Sequence, residues 1–258
     1  MQVGIDSFAA AFETSLAISA SDRLHNLVGQ IEQAASGTSG SAQTSGRPVV
    51  RRSGRRFDAG VFKRTDMLKV AIIIGSTPPG RNGVAVARWV YDIAARRGDA
   101  SFEVVDIADF DLPLLDEPFP PIMNQYSKPH TRAWAAKIGA FDAFVFVAPE
   151  YNHSMSGALK NAIDFLYREW NDKAAGFVGY GGAGGTRAVE QLRLVMGEIK
   201  VADVRAQVAL SMYDDFENFA TFKPRAQQES AVTAMLDDLV AWGRALQAVR
   251  ARVTDEFA

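Results

Sequence analysis

LKVAIIIGSTPPGRNG (68–83) decides the fold. Leu68 to Ile74 is apolar except for Lys69 and rich in β-branched side chains. An unbroken run of this kind belongs to a strand covered on both faces, the condition of a parallel sheet. GSTPPGRNG (75–83) is then a loop, and helical periodicity follows from Val84 to Ala95. The same unit recurs downstream. FEVVDI (102–107), AFVFVA (143–148), AAGFVGY (174–180) and VRAQVAL (204–210) read as four more strands. Between them come a Pro-rich connection (Pro113, Pro118, Pro120, Pro121), a helix through Trp134 and Ile138, a helix over Ala158 to Glu169, and a helix through Val189, Leu192 and Met196. A terminal helix from about Ala226 to Val249 is expected to place Val232, Met235, Leu236, Leu239, Trp242 and Leu246 on one stripe.

Strands alternating with helices predict an α/β fold: a three-layer, doubly wound, five-stranded parallel sheet. The flavodoxin-like order 2-1-3-4-5 makes the first and third strands neighbours whose crossovers leave toward opposite faces. A ligand is expected in the crevice between their carboxyl ends.

Composition narrows the chemistry. The 258 residues carry 28 basic and 30 acidic side chains, a net charge of −2, which gives no reason to expect a nucleic-acid partner. No apolar run reaches the length of a membrane span, and no secretory leader is visible. The absence of cysteine rules out disulfides, thiol catalysis, iron–sulfur clusters and thiolate zinc sites. Three scattered histidines make a poor metal site. A reducing cytoplasm is the expected location, and an organic cofactor, hydroxyls, carboxylates or backbone groups must carry the chemistry.

Residues 67–258 form the expected domain, and residues 1–66 an appendage that is disordered or partly helical. SGTSGSAQTSG (36–46) has nothing to bury and reads as a flexible linker. The basic run 47–64 reads as a solvated tether, with a polyanion patch as its sharper alternative. Gln2 to Phe8 reads as a short strand and Ser21 to Gln33 as a helix.

The informative loops flank the predicted crevice. In GSTPPGRNG, Gly75, Gly80 and Gly83 permit tight turns and close approach. Ser76, Thr77 and Asn82 offer short polar donors, and Arg81 a planar fork suited to phosphate. Helix-start amides complete an anion site. The residues after Gly80 are Arg81 and Asn82, so the loop is not a Walker loop, and G-x-G-x-x-G occurs only after the fourth strand, at Gly179, Gly181 and Gly184. A flavin monophosphate suits the first loop better than a dinucleotide. After the third strand, PEYNHSMSGALKNAIDF (149–165) places Glu150, Tyr151 and Asn152 at the strand's carboxyl end, where a flat heterocycle meets backbone donors and an aromatic edge. His153 reads as a surface residue. Ser154 and Ser156 form no G-x-S-x-G elbow. GYGGAGGTRA (179–188) packs four glycines into five positions and reads as the third wall of a flavin cleft.

Residues 67–250 resemble the NADPH-dependent FMN reductases, flavodoxin-like proteins that include quinone, azo-dye and chromate reductases. PEYNHSMSGALKNAIDF is similar to the family's PEYN-x-S-x-x-G-x-LKNAID signature, and IIIGSTPPGRNG to its phosphate loop. The resemblance implies FMN phosphate contacts at Ser76, Arg81, Asn82 and Gly83. It implies ring contacts at Pro149, Glu150, Tyr151, Asn152 and Ser154, with Gly181 and Gly182 opposite. Cofactors FMN and NADPH, a small electron acceptor and a homodimer or homotetramer are implied with them. The family often has an arginine where Pro78 stands, so weaker FMN retention is expected here. Separately, residues 1–33 resemble the opening strand and helix of luciferase-like flavin monooxygenases, while MLKVAIIIG at Met67 looks like a natural start.

In this reading no side chain acts as acid or base; the flavin passes a hydride from NADPH to a flavin, quinone, azo compound or similar acceptor. The alternatives are a flavin-binding electron carrier or sensor, and a hydrolase or nucleotide-binding domain. The near-neutral charge favours the enzyme over an acidic carrier. Tyr213, Phe216, Phe219 and Phe222 are expected to form an arm reaching a second subunit.

Overall fold

The computed structural model of the chain describes residues 67–256, with side chains to Ala251. The strand expected at 2–8, the helix at 21–33, the linker and the basic run lie outside the described residues.

Five strands run parallel in the order 2-1-3-4-5: β1 (Leu68–Ile74), β2 (Ala100–Asp106), β3 (Ala143–Pro149), β4 (Lys173–Gly181) and β5 (Val201–Ser211). The register pairs Leu68 with Ala100 and Ile74 with Asp106 on one side of β1, and Ile74 with Val147 on the other. The carboxyl ends of β1, β2 and β3 therefore lie side by side. Helices α1 (Gly83–Ala94), α2 (Pro129–Gly139), α3 (Gly157–Asp164), α4 (Thr186–Glu198) and α5 (Gln227–Glu256) form the outer layers.

Strand side chains alternate faces, so each apolar strand feeds two cores. Val70, Ile72, Ile74, Val145, Val147 and Val178 meet α1 and α5 through Val86, Val90, Met235 and Leu239. Ala71, Ile73, Phe144, Phe146 and Phe177 meet α2, α3 and α4 through Trp134, Leu159, Ile163 and Leu192. This second core is aromatic: Phe144 lies 4.9 Å from Trp170, and the indole nitrogens donate to Ala162 O at 2.7 Å and Ile163 O at 3.1 Å. Each such side chain removed from water stabilises the fold by about 1.5–3 kcal/mol. Those donors satisfy the polar handle that burial would otherwise strand.

At the opposite end of the sheet from the crevice, buried Lys173 opens β4. Its ammonium donates to Ile138 O at 3.1 Å and Gly139 O at 3.4 Å, closing the last turn of α2. Burial, and secondarily the Arg250 charge, lower its pKa from 10.5 to about 8.

Two helix expectations are corrected. The helix expected over Ala158 to Glu169 ends at Asp164. Phe165, Leu166 and Trp170 are all buried; a continued helix would keep Leu166 and Trp170 on the face of Ile163 but would turn Phe165 to the opposite side. On the terminal helix, Val232, Met235, Leu236 and Leu239 face inward as expected, but Trp242 is 51 % exposed. Gly243 takes the inward place; a Cβ there would lie 3.0 Å from Leu68 Cδ2. The helix passes so close to β1 at this turn that only a hydrogen fits.

The connection after β5 makes a two-stranded hairpin, β6 (Phe216–Glu217) with β7 (Thr221–Phe222). The aromatics expected to reach outward divide. Phe216 and Phe222 pack inward on Tyr180 and Trp89, while Tyr213 and Phe219 stay exposed, 5.4 Å apart edge to face. Buried Asp215 holds the hairpin's root, accepting from Ser211 N at 2.9 Å and from the Arg225 amide and guanidinium at 3.0 Å.

Candidate functional site

Three loops converge where β1, β3 and β4 end. The first leaves β1 at Gly75, whose amide still donates to Val147 O at 2.9 Å. A Cβ on Gly75 would lie 2.9 Å from that oxygen, so glycine is what lets the loop start flush against β3. Ser156 ties this loop to the next. Its hydroxyl donates to Gly75 O at 2.5 Å and accepts from Leu159 N at 3.0 Å, capping α3.

Thr77 to Gly80 are exposed, and Asn82 caps α1 without a side-chain bond. The first-turn amides of α1 therefore lack both intrahelical partners and a side-chain cap. Ser76 lies at the base of the loop. It is fully buried, its hydroxyl accepting from the Tyr180 hydroxyl at 3.2 Å. Gly83 explains the burial: a Cβ there would lie 2.5 Å from Ser76 Oγ and 2.9 Å from Tyr180 Oη. Burial, outweighing the Ser76 hydrogen bond, pushes the Tyr180 hydroxyl up to about 12, so it remains a donor at physiological pH.

Arg81 lies at the mouth, but its guanidinium is engaged. One terminal nitrogen pairs with Asp106 at the end of β2, and the other donates to Thr77 O at 3.3 Å. Its Nε is buried without a partner. Asp106 is held from behind by Ala108 N at 3.0 Å.

The second loop follows β3. Pro149 is buried beside Tyr180 in the register. Tyr151 and Ser154 exchange both backbone hydrogen bonds, at 2.9 and 3.1 Å, around Asn152 and His153 with φ of 48° and 73°. This is a two-residue turn with both central residues in the left-handed region, and it leaves the Tyr151 ring 42 % exposed at the rim. Glu150 is turned away from the mouth. Its side chain is 4 % exposed and pairs with the Arg187 guanidinium; the Arg187 amide donates to it at 3.2 Å. Arg187 Nη1 also meets His153 Nδ1 at 3.2 Å. The glycine loop after β4 is thereby fastened to the turn after β3.

In that third loop Gly181 is buried and Gly182 exposed, and a Cβ on Gly182 would meet only Tyr213 Cε2, at 3.9 Å. A flat surface can approach the backbone there. The loops carrying Ser76 and Arg81 to Gly83, Pro149 to Ser154, and Gly181 and Gly182 thus leave the ends of β1, β3 and β4, tied together by the Gly75–Val147, Ser156–Gly75, Tyr180–Ser76 and Glu150–Arg187 bonds. Asp106, Ser156, Tyr180 and Arg187 were not singled out from sequence as site residues. Asp106 was visible as the charged residue that ends the second strand, and Arg187 as the first cation after the glycines. Among the described residues, no group of three or more His, Cys, Asp or Glu could hold a metal, and no helix is long and apolar enough to cross a membrane.

Residues 68–215 match the family described as NADPH-dependent FMN reductase. An NAD(P)H-dependent FMN reductase of Nectria sp is 42% identical over 149 residues, spanning 54% of this chain and 74% of that protein. An NAD(P)H:quinone oxidoreductase of Solanum tuberosum is 36% identical over 134 residues, 50% of this chain and 67% of that protein. The fold is shared with a flavoenzyme NAD(P)H:(acceptor) oxidoreductase from Paracoccus denitrificans, with TM-score 0.52, 20% identity, and coverage of 69% of this chain and 98% of that one. With more than half of its length inside the family match, the chain belongs to the NADPH-dependent FMN reductase family and is an FMN-dependent NAD(P)H oxidoreductase.

Proposed function

We propose that one FMN lies across the mouth between β1 and β3, its phosphate on Arg81, Asn82 and Gly83 with Ser76 beneath, its ring between Pro149–Asn152 with Ser154 and Gly181–Gly182. The observation that carries this reading is the buried, unpartnered Arg81 Nε beside an uncapped helix start, opposite an exposed tyrosine and an open glycine backbone. These residues fit a ligand with one anionic end and one flat end. Bound FMN supplies the two-electron chemistry, between NADPH and a small acceptor such as a free flavin, a quinone or an azo compound.

The chain's own residues position and do not react. Uncharged Tyr180 keeps the first loop seated on Ser76, and the Glu150–Arg187 pair holds two walls at a fixed spacing. Exposed Tyr151 and the open backbone at Gly182 would hold the flavin ring.

The FMN domain in this reading is residues 67–258, with residues 1–66 an appendage not needed for it. The cysteine-free chain suits a reducing cytoplasm. A homodimer or homotetramer is the proposed assembly. Its support is the apolar surface between β2 and α2, where Leu114 is 86 % exposed and Phe119, Ile122 and Met123 are also exposed. The visible spectrum of purified protein with added FMN, before and after NADPH, tests the function. A bound flavin band that NADPH bleaches and an acceptor restores is expected. A colourless protein that takes up no FMN overturns the reading, and a flavin that NADPH cannot bleach makes it a carrier. Trimming to Met67 and repeating the measurement tests the domain boundary.

A further inference from the structure

The phosphate end of the mouth already contains an anion. Arg81 is the only cation in the loop 75–83, which has proline at 78 and 79. Its guanidinium pairs with Asp106, and the two side chains are 16% and 17% exposed. Asp106 does not come from a mobile segment. It ends β2 in register with Ile74, the last residue of β1, and its other carboxylate oxygen accepts from Ala108 N. The carboxylate is therefore held beside the loop by the strand and by the turn that follows it. A phosphate that approaches Arg81 meets a guanidinium whose charge is balanced, and a second negative charge behind it.

We propose that Asp106 is an internal counter-anion that competes with the cofactor's phosphate for Arg81 and so sets how tightly FMN is retained against unphosphorylated flavin. This rests on the FMN placement above and assigns its retention to one residue. Arg81 has donors to spare for the exchange: Nε is buried without a partner, and the Nη1 bond to Thr77 O is a long 3.3 Å. When a dianion takes the fork, the carboxylate keeps its Ala108 amide and loses only the ion pair. The loop thus holds itself closed with a weak internal anion that a stronger one displaces, at a cost in affinity. Pro78 sharpens the effect, because no neighbouring cation in the loop shares the load.

The test is flavin binding by fluorescence quenching on the full chain, with FMN and riboflavin as the two probes. Asp106→Asn keeps the acceptor for Ala108 N and removes the charge. It is expected to tighten FMN by about tenfold and to leave riboflavin unchanged. Asp106→Ser, also an acceptor at a turn start, is the second variant if Asn impairs folding. In an Arg81→Gln background the Asp106→Asn gain is expected to shrink, because the competition acts through Arg81. Unchanged or weaker FMN binding in the Asp106 variants overturns the proposal and makes Asp106 a support for Arg81. An equal gain for riboflavin also overturns it. Wild-type protein and Asp106 variants that all bind FMN no more tightly than riboflavin overturn the competition while leaving the flavin site standing. Binding of neither flavin removes both readings.

Discussion

The Tyr180 hydroxyl, on β4, donates to the Ser76 hydroxyl on the loop after β1, 3.2 Å away and 104 residues apart. β3 lies between the two strands, so this bond spans the crevice floor and ties its outer walls together. Both groups are buried, and each alone would carry the cost of an unmade hydrogen bond.

Gly83→Ala tests that seam. The new methyl group would sit 2.5 Å from Ser76 Oγ, so the pair must separate or α1 must shift. A stability loss of about 1–3 kcal/mol is expected, with weaker binding of both FMN and riboflavin. Thermal melts and flavin titrations check it; a variant as stable as wild type with unchanged binding contradicts it.

Asn152→Ala probes the turn after β3. At φ 48° an alanine is strained where asparagine is tolerated, and a loss of about 1 kcal/mol is expected. Asn152→Gly is expected to restore stability, since glycine visits positive φ freely. Urea unfolding of the two variants side by side decides it.

Arg187→Ala leaves the Glu150 carboxylate enclosed without its ion partner. Arg187 is 42% exposed, so the cost should fall below that of a fully buried pair, at about 2 kcal/mol. Glu150→Gln is expected to be milder, because it removes the stranded charge along with the pair. A larger loss in Glu150→Gln than in Arg187→Ala would refute the account.

Much of this architecture was readable one segment at a time. The run Leu68 to Ile74 announced a doubly covered strand, and PEYNHS announced a polar turn at the end of another. What stayed hidden was pairwise. Trp242 and Gly243 are adjacent on a helix, and periodicity cannot say which faces β1 until the closeness of the helix is known. Helix α3 ends at Asp164 with Phe165 fully buried, a position that a continued helix would turn away from the face of Leu159 and Ile163, so a tertiary demand overrides local helix preference. The hold of Tyr180 on Ser76 stayed hidden because the two lie 104 residues apart. Arg81 looked free because Asp106 is 25 residues away.

Lys173 carries the pH prediction. Its pKa is about 8 in the fold against 10.5 ordinarily. Below pH 8 the ammonium is charged in both states, and the fold bears the full cost of enclosing it. Between pH 8 and 10.5 the native state sheds its proton first, so this penalty is relieved as pH rises. Lys173→Met lacks the titration. The stability of wild type relative to Lys173→Met should therefore improve by about 2 kcal/mol between pH 7.5 and pH 10. A difference that is flat with pH excludes a depressed lysine.

Asp215 anchors the hairpin. Burial raises its pKa, but hydrogen bonds from Arg225 and Ser211 outweigh that and leave it below the usual carboxylate range. Its contribution is therefore present above about pH 4 and lost as pH falls through the lowered folded value. Asp215→Asn is expected to cost about 2 kcal/mol at neutral pH and to release Tyr213 and Phe219 first, seen as faster proteolysis between residues 213 and 224.

The turn at Tyr151–Ser154 is finished before any guest arrives, its two backbone bonds made and its strain already spent. Were FMN to bind as proposed, its tricycle would meet a ready-made berth, whereas its anchoring tail would first have to evict an occupant. Docking in that order would make capture quick and locking slow, a molecule quick to pick up its dye and slow to commit to it.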